Sequence, residues 1–260
     1  MYRIIDTHAH YDDPAFDDDR DKLISELLSD KVCCIVNQGT DLRTSVQSTE
    51  MSSKYKGFYA AVGLHPEQVS EEGLAELEDI LALARNEKVV AIGEIGLDYY
   101  YETPRELQKK AFEMQLQAAK DLSLPVNIHD REAHGDMLEI LKVYRPQGIL
   151  HCFSGSVEMA GEVVRQGMYI GVGGVITFKN AKKAVSVIKE IPLDRIVLET
   201  DCPYLSPEPF RGKRNHSGNI EYTAKKIAEI KGISLEEVIR VTCENALKVY
   251  DRIDRSLINE

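Results

Sequence analysis

Short apolar, β-branched runs alternate along the chain with longer stretches in which apolar residues recur at the helical period. Eight of the short runs have the length and composition of buried strands: residues 3–7, 32–37, 58–62, 89–94, 126–129, 149–151, 168–171 and 195–199. Helices are predicted between them, for example over residues 18–28, 72–85, 106–122, 134–144 and 157–166. This alternation predicts a parallel sheet whose strands are joined by crossover helices.

Eight strand–helix units in a chain of 260 residues match the size of a closed α/β barrel of the TIM type, (β/α)₈. We therefore expect one domain over residues 1–260. An open, doubly wound sheet is the alternative, but it usually carries a glycine-rich loop after its first strand, where this chain has His8-Ala9-His10. Helical patterns over residues 220–230 and 234–250 follow the last strand. One should complete the barrel, and the other is an extra C-terminal helix that packs against it or covers one end.

The net charge of -11 argues against broad adsorption to nucleic acid or to an anionic membrane, although bound cations would create a local positive site. No apolar run has the length of a membrane span, so no membrane partner is expected.

Five cysteines, an odd number without a Cys-x-x-Cys pair, predict reduced thiols, with Cys33 and Cys34 in the core. Because no leader precedes the first strand, a cytoplasmic location is expected.

Two histidines, His8 and His10, end the first predicted strand. Residues two apart in a strand point to the same side, so both imidazoles project together, and imidazole is a common ligand of zinc-like ions. A pair of polar residues on an edge strand is the alternative interpretation.

Other potential metal ligands recur at the ends of predicted strands: Glu94, His129, His151 and Asp201. A charged or imidazole group at the end of an apolar strand is costly to bury unless it is paired or binds a metal. With His8 and His10 they make six groups from five strands, all expected at the carboxyl-end mouth of one barrel. The pattern therefore predicts a metal site there.

Five segments together resemble the TatD family of metal-dependent deoxyribonucleases, which belongs to the amidohydrolase-like barrels. They are His8-Ala9-His10, Gly93-Glu94-Ile95-Gly96-Leu97-Asp98-Tyr99, His129-Asp130-Arg131, His151-Cys152-Phe153-Ser154-Gly155 and Glu199-Thr200-Asp201-Cys202-Pro203-Tyr204-Leu205. The resemblance runs in order from residue 6 to about residue 215. It implies a TIM-type barrel, two divalent metal ions and phosphodiester hydrolysis on DNA, with single-stranded 3′ ends as the expected substrate. No obligate protein partner is inferred from the sequence.

The resemblance also implies a division of the ligands: His8, His10 and Asp201 on one ion, His129 and His151 on the other, and Glu94 bridging both. The ions would activate water, with Asp201 orienting the water or accepting its proton, so Asp201 and Glu94 are the expected catalytic residues. Whether the native ion is Mg²⁺, Zn²⁺ or Mn²⁺ is left open.

Substrate contacts are expected from His65 and from the basic run that contains Arg211, Lys213 and Arg214. His65 would contact the scissile phosphate, or else it is a loop histidine bonded to backbone. The basic run would contact flanking phosphates, or else it is a solvated loop. The family pattern often continues this run with Glu-Pro, whereas this chain continues with His216-Ser217-Gly218, which leaves the shape of the loop open.

Several neighbouring residues have weaker signals. Glu199 and Asp98 are expected to fix histidine tautomers, with a simple loop carboxylate as the alternative for Asp98. Arg131 would orient a ligand or pair with Asp136, and a plain surface ion pair is the alternative. His134 is expected on a helix surface. The run of three tyrosines at 99–101 would either stack on unpaired bases or rim the core.

Two other functions fit part of the pattern. A small-molecule hydrolase on the same barrel (a lactonase, amidase or phosphotriesterase) would share every ligand, but its loop over residues 202–218 should be apolar and closed, whereas here it is basic. A metal-binding protein that has lost catalysis should lack one or more ligands, and all six are in this sequence.

Overall fold

The computed structural model describes residues 3–258, and its eight strands form one parallel sheet in which each strand pairs with the next along the chain. The strands are β1 (Ile4–Ala9), β2 (Val32–Gln38), β3 (Phe58–Val62), β4 (Val89–Asp98), β5 (Val126–Arg131), β6 (Gly148–Leu150), β7 (Tyr169–Val172) and β8 (Ile196–Leu198). All eight predicted strands are present. β4 extends four residues beyond its predicted end because its pairing with β5 continues as far as Asp98 and Arg131.

The described part of the chain contains ten α-helices around the strands: α1 (Arg20–Ser29), α2 (Leu42–Lys54), α3 (Glu71–Ala75), α4 (Leu77–Ala82), α5 (Arg105–Leu122), α6 (His134–Tyr144), α7 (Val157–Arg165), α8 (Lys182–Glu190), α9 (Ile220–Lys231) and α10 (Leu235–Val249). The single helix predicted over residues 72–85 is wrong in detail. It is broken into α3, α4 and a 3₁₀ turn, and Gly73 lowers the helix propensity of its first turn. Within residues 3–258, no helix combines the length and the apolarity needed to cross a bilayer.

Helix α2 shows why an apolar pattern misses some helices. Most of the residues that it buries are small and polar, namely Thr44, Ser45, Ser48 and Ser52. Their hydroxyls bond within the helix or to its neighbours, as when Ser48 accepts a hydrogen bond from Asn37 at 2.8 Å. Such a helix packs closely against the sheet without an apolar stripe.

β8 and β1 close the barrel through a few hydrogen bonds instead of a full ladder. The Asp201 amide donates to the His8 carbonyl at 2.9 Å, and the His10 amide donates to the Cys202 carbonyl at 2.8 Å. The Thr7 hydroxyl adds a bond to the Leu198 carbonyl at 3.0 Å. The backbone hydrogen bonds that close the barrel are therefore made by the predicted metal ligands of this seam, His8, His10 and Asp201.

Asp6 strengthens this closure from inside the barrel wall. Its fully buried carboxylate accepts hydrogen bonds from the amides of His8 (3.2 Å) and Thr200 (3.0 Å). It also accepts from the hydroxyls of Thr200 (2.6 Å) and Ser217 (2.7 Å). Burial raises the pKa of Asp6 to about 6, although these hydrogen bonds oppose the rise. One side chain thus ties β1, the segment after β8 and the 3₁₀ turn at Ser217–Asn219 together.

The C-terminal segment covers the amino ends of the strands, as predicted for one of the last two helices. α10 packs on β8 and β1, and the Arg252 guanidinium donates to the carbonyl of Val89, the first residue of β4, at 2.7 Å. Tyr250 is fully buried, and its hydroxyl lies 3.2 Å from the Thr7 carbonyl and 3.1 Å from the Asn127 amide nitrogen. This end of the barrel is therefore filled, and the opposite end carries the histidines.

We predict that Asp6→Ala destabilises the fold by about 3–5 kcal/mol, because it leaves several buried donors without an acceptor. Asp6→Asn keeps one acceptor oxygen and should cost less. Urea unfolding followed by circular dichroism measures both. A free energy of unfolding for Asp6→Ala within about 0.5 kcal/mol of wild type would show that the closure does not depend on this carboxylate.

Candidate metal centre

The structure brings the six predicted ligands together at the carboxyl ends of the strands. They come from β1 and the residue after it, from β4 and β5, and from the residues that follow β6 and β8: His8, His10, Glu94, His129, His151 and Asp201. Ion-pair and hydrogen-bond distances among their nitrogen and oxygen atoms range from 2.8 to 3.6 Å. Groups this close suit cation binding, because a shared ion would offset the repulsion between the lone pairs that face each other.

One half of the centre contains His8, His10, Asp201 and one oxygen of Glu94. The two histidine Nε2 atoms are 3.1 Å apart. They lie 3.5 and 3.4 Å from Glu94 Oε2, and 3.6 and 3.5 Å from Asp201 Oδ1. Ligands held about 2.0–2.2 Å from one tetrahedral ion are separated by roughly 3.3–3.6 Å. The spacing in this half fits one divalent ion.

The other half contains the second oxygen of Glu94 with His129 and His151. Glu94 Oε1 lies 3.0 Å from His129 Nδ1 and 2.8 Å from His151 Nε2, and these nitrogens are 3.2 Å apart. The two oxygens of one carboxylate therefore face two separate sets of nitrogens. Glu94 is 4% exposed, so this buried carboxylate depends on its partners for stabilisation.

Hydrogen bonds at the far ring nitrogens fix the orientation of two of these histidines. Asp98 Oδ2 lies 2.8 Å from His129 Nε2, so in the neutral ring this nitrogen carries the proton and Nδ1 presents a lone pair to the centre. In the same way, the amide oxygen of Asn127 lies 3.3 Å from His8 Nδ1, which leaves the lone pair on Nε2. The predicted role of Asp98 matches this geometry, whereas Asn127 was not identified from the sequence.

His65 lies beside the centre and presents a hydrogen-bond donor to it, whereas the neutral rings of His8 and His129 present lone pairs. Its Nδ1 accepts a hydrogen bond from the Glu67 amide at 3.1 Å, so in the neutral ring the proton sits on Nε2. Nε2 lies 3.5 Å from Glu94 Oε1. His65 is thus bonded to backbone, as one interpretation predicts, while it also presents an N–H donor to the centre.

Glu199 lies below the centre, but its hydrogen bond goes to backbone. Its Oε1 accepts from the Cys152 amide at 2.5 Å and is 4.0 Å from His151 Nδ1, too far for a hydrogen bond. The prediction that Glu199 fixes a histidine tautomer is therefore wrong in this geometry, since the carboxylate positions the loop after β6. Burial raises the pKa of Glu199 well above its usual range. A Cβ at Gly171 would lie 2.3 Å from Glu199 Oε2, so only glycine leaves room for this carboxylate.

The carboxylates and histidines of the centre shift one another's pKa values. Burial disfavours the charged form of each group, but Asp98 and Glu94 together raise the pKa of His129 to about 10. The hydrogen bond with Asp201, together with the charges of Glu94 and Asp201, likewise outweighs burial and raises the pKa of His10 to about 9. Histidine charges hold the pKa of Glu94 well below its usual range despite burial. The metal-free centre therefore attracts cations strongly.

His151 behaves differently from the other histidines. Burial and the charge of His8 lower the pKa of His151 to about 4, and the two rings are stacked with centroids 3.9 Å apart. His151 is thus neutral across the physiological range, which is the form that a metal ligand requires.

Arg131 and Asp136 lie at the rim of the centre, and the structure contradicts the expectation that they pair. Asp136 pairs with Lys109 at 2.7 Å and accepts a hydrogen bond from the Tyr99 hydroxyl at 2.5 Å. Arg131 instead lies over the exposed ring of Tyr100, 3.8 Å from its centroid. The proposed Arg131–Asp136 pair is wrong because a lysine and a tyrosine already occupy this carboxylate.

The structure also places the tyrosine run at 99–101 and His134. Tyr100 and Tyr101 are exposed and pack edge to face, whereas Tyr99 is half-buried against the core. His134 begins α6 and lies 2.8 Å from Asp130, as a helix-surface residue with a carboxylate partner.

The three cations of the basic run make different contacts. Arg214 forms two hydrogen bonds with Asp19, at 2.8 and 2.6 Å, and lies over the Phe16 ring. Arg211 lies over the ring of Phe178, and Lys213 is exposed. Among the residues that the structure describes, Arg211 and Lys213 have no carboxylate partner within 4.0 Å, so they are the two cations available to an anion.

The barrel and the cluster of imidazoles and carboxylates at its mouth define a metal-dependent hydrolase. The family described as TatD related DNase matches residues 5–251, and the chain belongs to this family. The uncharacterized metal-dependent hydrolase YabD of Bacillus subtilis is 43% identical over 251 residues, which cover 95% of this chain and 98% of YabD. The human deoxyribonuclease TATDN3 is 34% identical, with 96% of this chain and 95% of that protein covered.

A solved structure supports the same assignment. The crystal structure of YJJV, a TatD homologue from Escherichia coli, superimposes with a TM-score of 0.89 at 33% identity and covers 96% of this chain and 98% of its own. The predicted family and the predicted TIM-type barrel are therefore confirmed.

We predict that metal binding to this centre strengthens with rising pH. Because the pKa values of His10 and His129 are raised to about 9 and 10, both rings hold protons at pH 7 in the metal-free protein. A divalent ion must displace them, so its affinity should rise between pH 6 and 9 by up to about tenfold per pH unit for each proton released. Calorimetric titration with Zn²⁺ in buffers of different ionisation enthalpy measures the proton release.

His134→Gln is the matched control, because His134 lies outside the centre and its loss should leave proton release unchanged. Zinc binding at pH 7 without proton release would contradict the prediction.

Proposed function

We propose that this protein is a deoxyribonuclease that hydrolyses phosphodiester bonds at the 3′ end of single-stranded DNA, with two divalent metal ions. The observation that carries the proposal is the position of Glu94, whose two oxygens face two sets of ligand atoms at separations suited to coordination. Membership of the TatD related DNase family and the deoxyribonuclease named among the relatives support the choice of substrate.

In this proposal His8, His10 and Asp201 would hold the first ion, His129 and His151 would hold the second, and Glu94 would be shared between them. A carboxylate between two dications offsets their mutual repulsion. The four positive charges of the two ions, less the two negative charges of Glu94 and Asp201, leave about +2 at the barrel mouth. This local charge would bind an anionic phosphodiester despite the net charge of -11.

The bound ions would supply two functions, lowering the pKa of a water molecule and neutralising charge on the phosphate. Asp201 is the proposed proton acceptor. Its side chain is 19% exposed, against 5% for Glu94, and it lines the open cavity beside the centre. The hydrogen bond with His10 and the histidine charges lower the pKa of Asp201 despite its burial, so the carboxylate is ionised at neutral pH and can take a proton. His65 would donate its Nε2 proton to a phosphate oxygen.

The small-molecule hydrolase remains the alternative within the same barrel. It predicts an apolar, closed loop after β8, whereas this loop exposes Arg211 and Lys213 without carboxylate partners. Those cations suit flanking phosphates of a strand. The concave mouth, with its opposite end filled by the C-terminal segment, suits a strand end better than an intact duplex.

We predict that Glu94→Gln and Asp201→Asn each lower the rate of DNA hydrolysis by about 10²–10⁴-fold while the fold persists. Glu94→Gln removes the bridging charge, so it should also lower the bound metal below two ions per chain. End-labelled single-stranded DNA measures the rate, elemental analysis after dialysis measures the metal, and circular dichroism checks the fold. Near-normal turnover in either folded variant, with His134→Gln as control, would overturn this mechanism.

A second prediction concerns the basic run. Replacing Arg211 and Lys213 together by Ala should weaken binding of single-stranded DNA and flatten its salt dependence by about two phosphate contacts, with no change for a small chromogenic phosphodiester. Arg214→Ala is the comparison, because Arg214 is already bonded to Asp19. It should change the salt dependence less. Equal losses of both activities in the double variant would mean that the loop supports the metal centre instead of binding the strand.

A further inference from the structure

The metal centre opens on one side into a cavity of about 600 Å³. Four ligand residues form one wall of this cavity: Glu94, His129, His151 and Asp201. The opposite wall is formed by the loop after β6, the 3₁₀ turn at Gly174–Thr177 and the inner face of α8. The volume lies within the range of roughly 300–1,000 Å³ that small-molecule sites occupy. A group bound in this cavity would therefore lie next to the substrate bond that is cleaved at the centre.

The wall away from the ligands is mainly apolar. Ile176 and Val187 are almost fully buried, and the half-buried ring of Phe153 adds an aromatic face. Polar side chains lie at the exposed edge, among them Ser154, Asn180 and the charged Lys183 on α8. Apolar walls with a few polar groups at the edge suit a flat ring that has hydrogen-bonding atoms on its perimeter.

The wall is held in place by contacts with the loop after β8. A Cβ on Gly174 would lie 2.3 Å from the Leu205 carbonyl oxygen, so the two backbones are in direct contact. The Glu208 amide donates a hydrogen bond to the Thr177 hydroxyl at 2.8 Å. The cavity is thus formed before any ligand binds, and filling it costs little ordering of the protein.

We propose that this cavity binds the nucleobase of the 3′-terminal nucleotide, an inference that rests on the proposed deoxyribonuclease function. The base is the apolar, flat part of the nucleotide attached to the scissile phosphodiester, and the cavity is continuous with the residues that would hold the metal ions. The sugar–phosphate backbone fits these apolar walls poorly. A base can enter only when it is unpaired, so the cavity would give the enzyme its preference for frayed or single-stranded ends.

The experiment compares two single-stranded oligonucleotides that differ only in the last residue, which is either thymidine or its tetrahydrofuran abasic analogue. Burying or stacking a base contributes about 1–3 kcal/mol, so the base should raise kcat/KM by roughly 5- to 150-fold. Rates are measured on the metal-loaded wild-type enzyme. Equal kcat/KM values for the two oligonucleotides would overturn the inference.

A variant that fills the cavity provides the second arm. Ala184 lines the cavity on α8, so Ala184→Phe should slow release of terminal thymidine to the abasic rate and leave abasic release within about twofold of wild type. Ser186 is exposed on the same helix and does not line the cavity, so Ser186→Phe is the matched control and should leave both rates unchanged.

The outcomes separate this inference from the proposed function. Cleavage of both oligonucleotides at the same rate would leave the deoxyribonuclease in place and remove the base site. No cleavage of either one, with hydrolysis of lactones or amides instead, would overturn both. Because the wild-type comparison needs no variant, the inference stays testable even if Ala184→Phe does not fold.

Discussion

The barrel and its metal centre both depend on the hydrogen bonds that the buried carboxylate of Asp6 accepts. β1 and β8 share few backbone hydrogen bonds, and Asp6 supplies the missing cohesion by accepting from His8, Thr200 and Ser217. His8 and Asp201, one residue after Thr200, point into the same half of the metal centre. Asp6 therefore supports both barrel closure and ligand spacing, and a small opening between β1 and β8 would separate His8 and Asp201, whose ligand atoms lie 3.6 Å apart.

A second series of buried hydrogen bonds connects the centre to the C-terminal segment of the chain. The Tyr250 hydroxyl bonds Asn127, whose amide oxygen faces His8 Nδ1. Because Asn127 donates its two N–H groups to Tyr250 and to the Thr7 carbonyl, its oxygen is directed at the histidine ring. The segment that fills the amino end of the barrel thus helps to orient a ligand at the carboxyl end, which gives α10 a role beyond covering the core.

The sequence predicted the parts of this arrangement that follow from strand geometry. Ligand-type residues at the ends of parallel strands must meet at one mouth, so His129 and Asp201 could be placed together without a structure. Asp6 and Asn127 were missed because a polar residue within a strand gives no functional signal by itself, although each lies two positions before a ligand and so faces the same side. The partner of Asp136 could not be predicted, because the choice between Arg131 and Lys109 depends on how α5 packs beside α6.

The electrostatics explain how an acidic protein can present a site for an anion. In the metal-free centre the buried carboxylates are compensated by protons on His10 and His129, whose pKa values are raised by the negative charge around them. The same field favours divalent ions, which carry more charge than the protons they displace. With two ions bound as proposed, exchange of protons for ions would therefore change the mouth of the barrel from nearly balanced to positive while the outer surface stays acidic. Affinity for a phosphodiester would then be confined to the point of chemistry, and non-productive adsorption elsewhere on the surface would be disfavoured by charge.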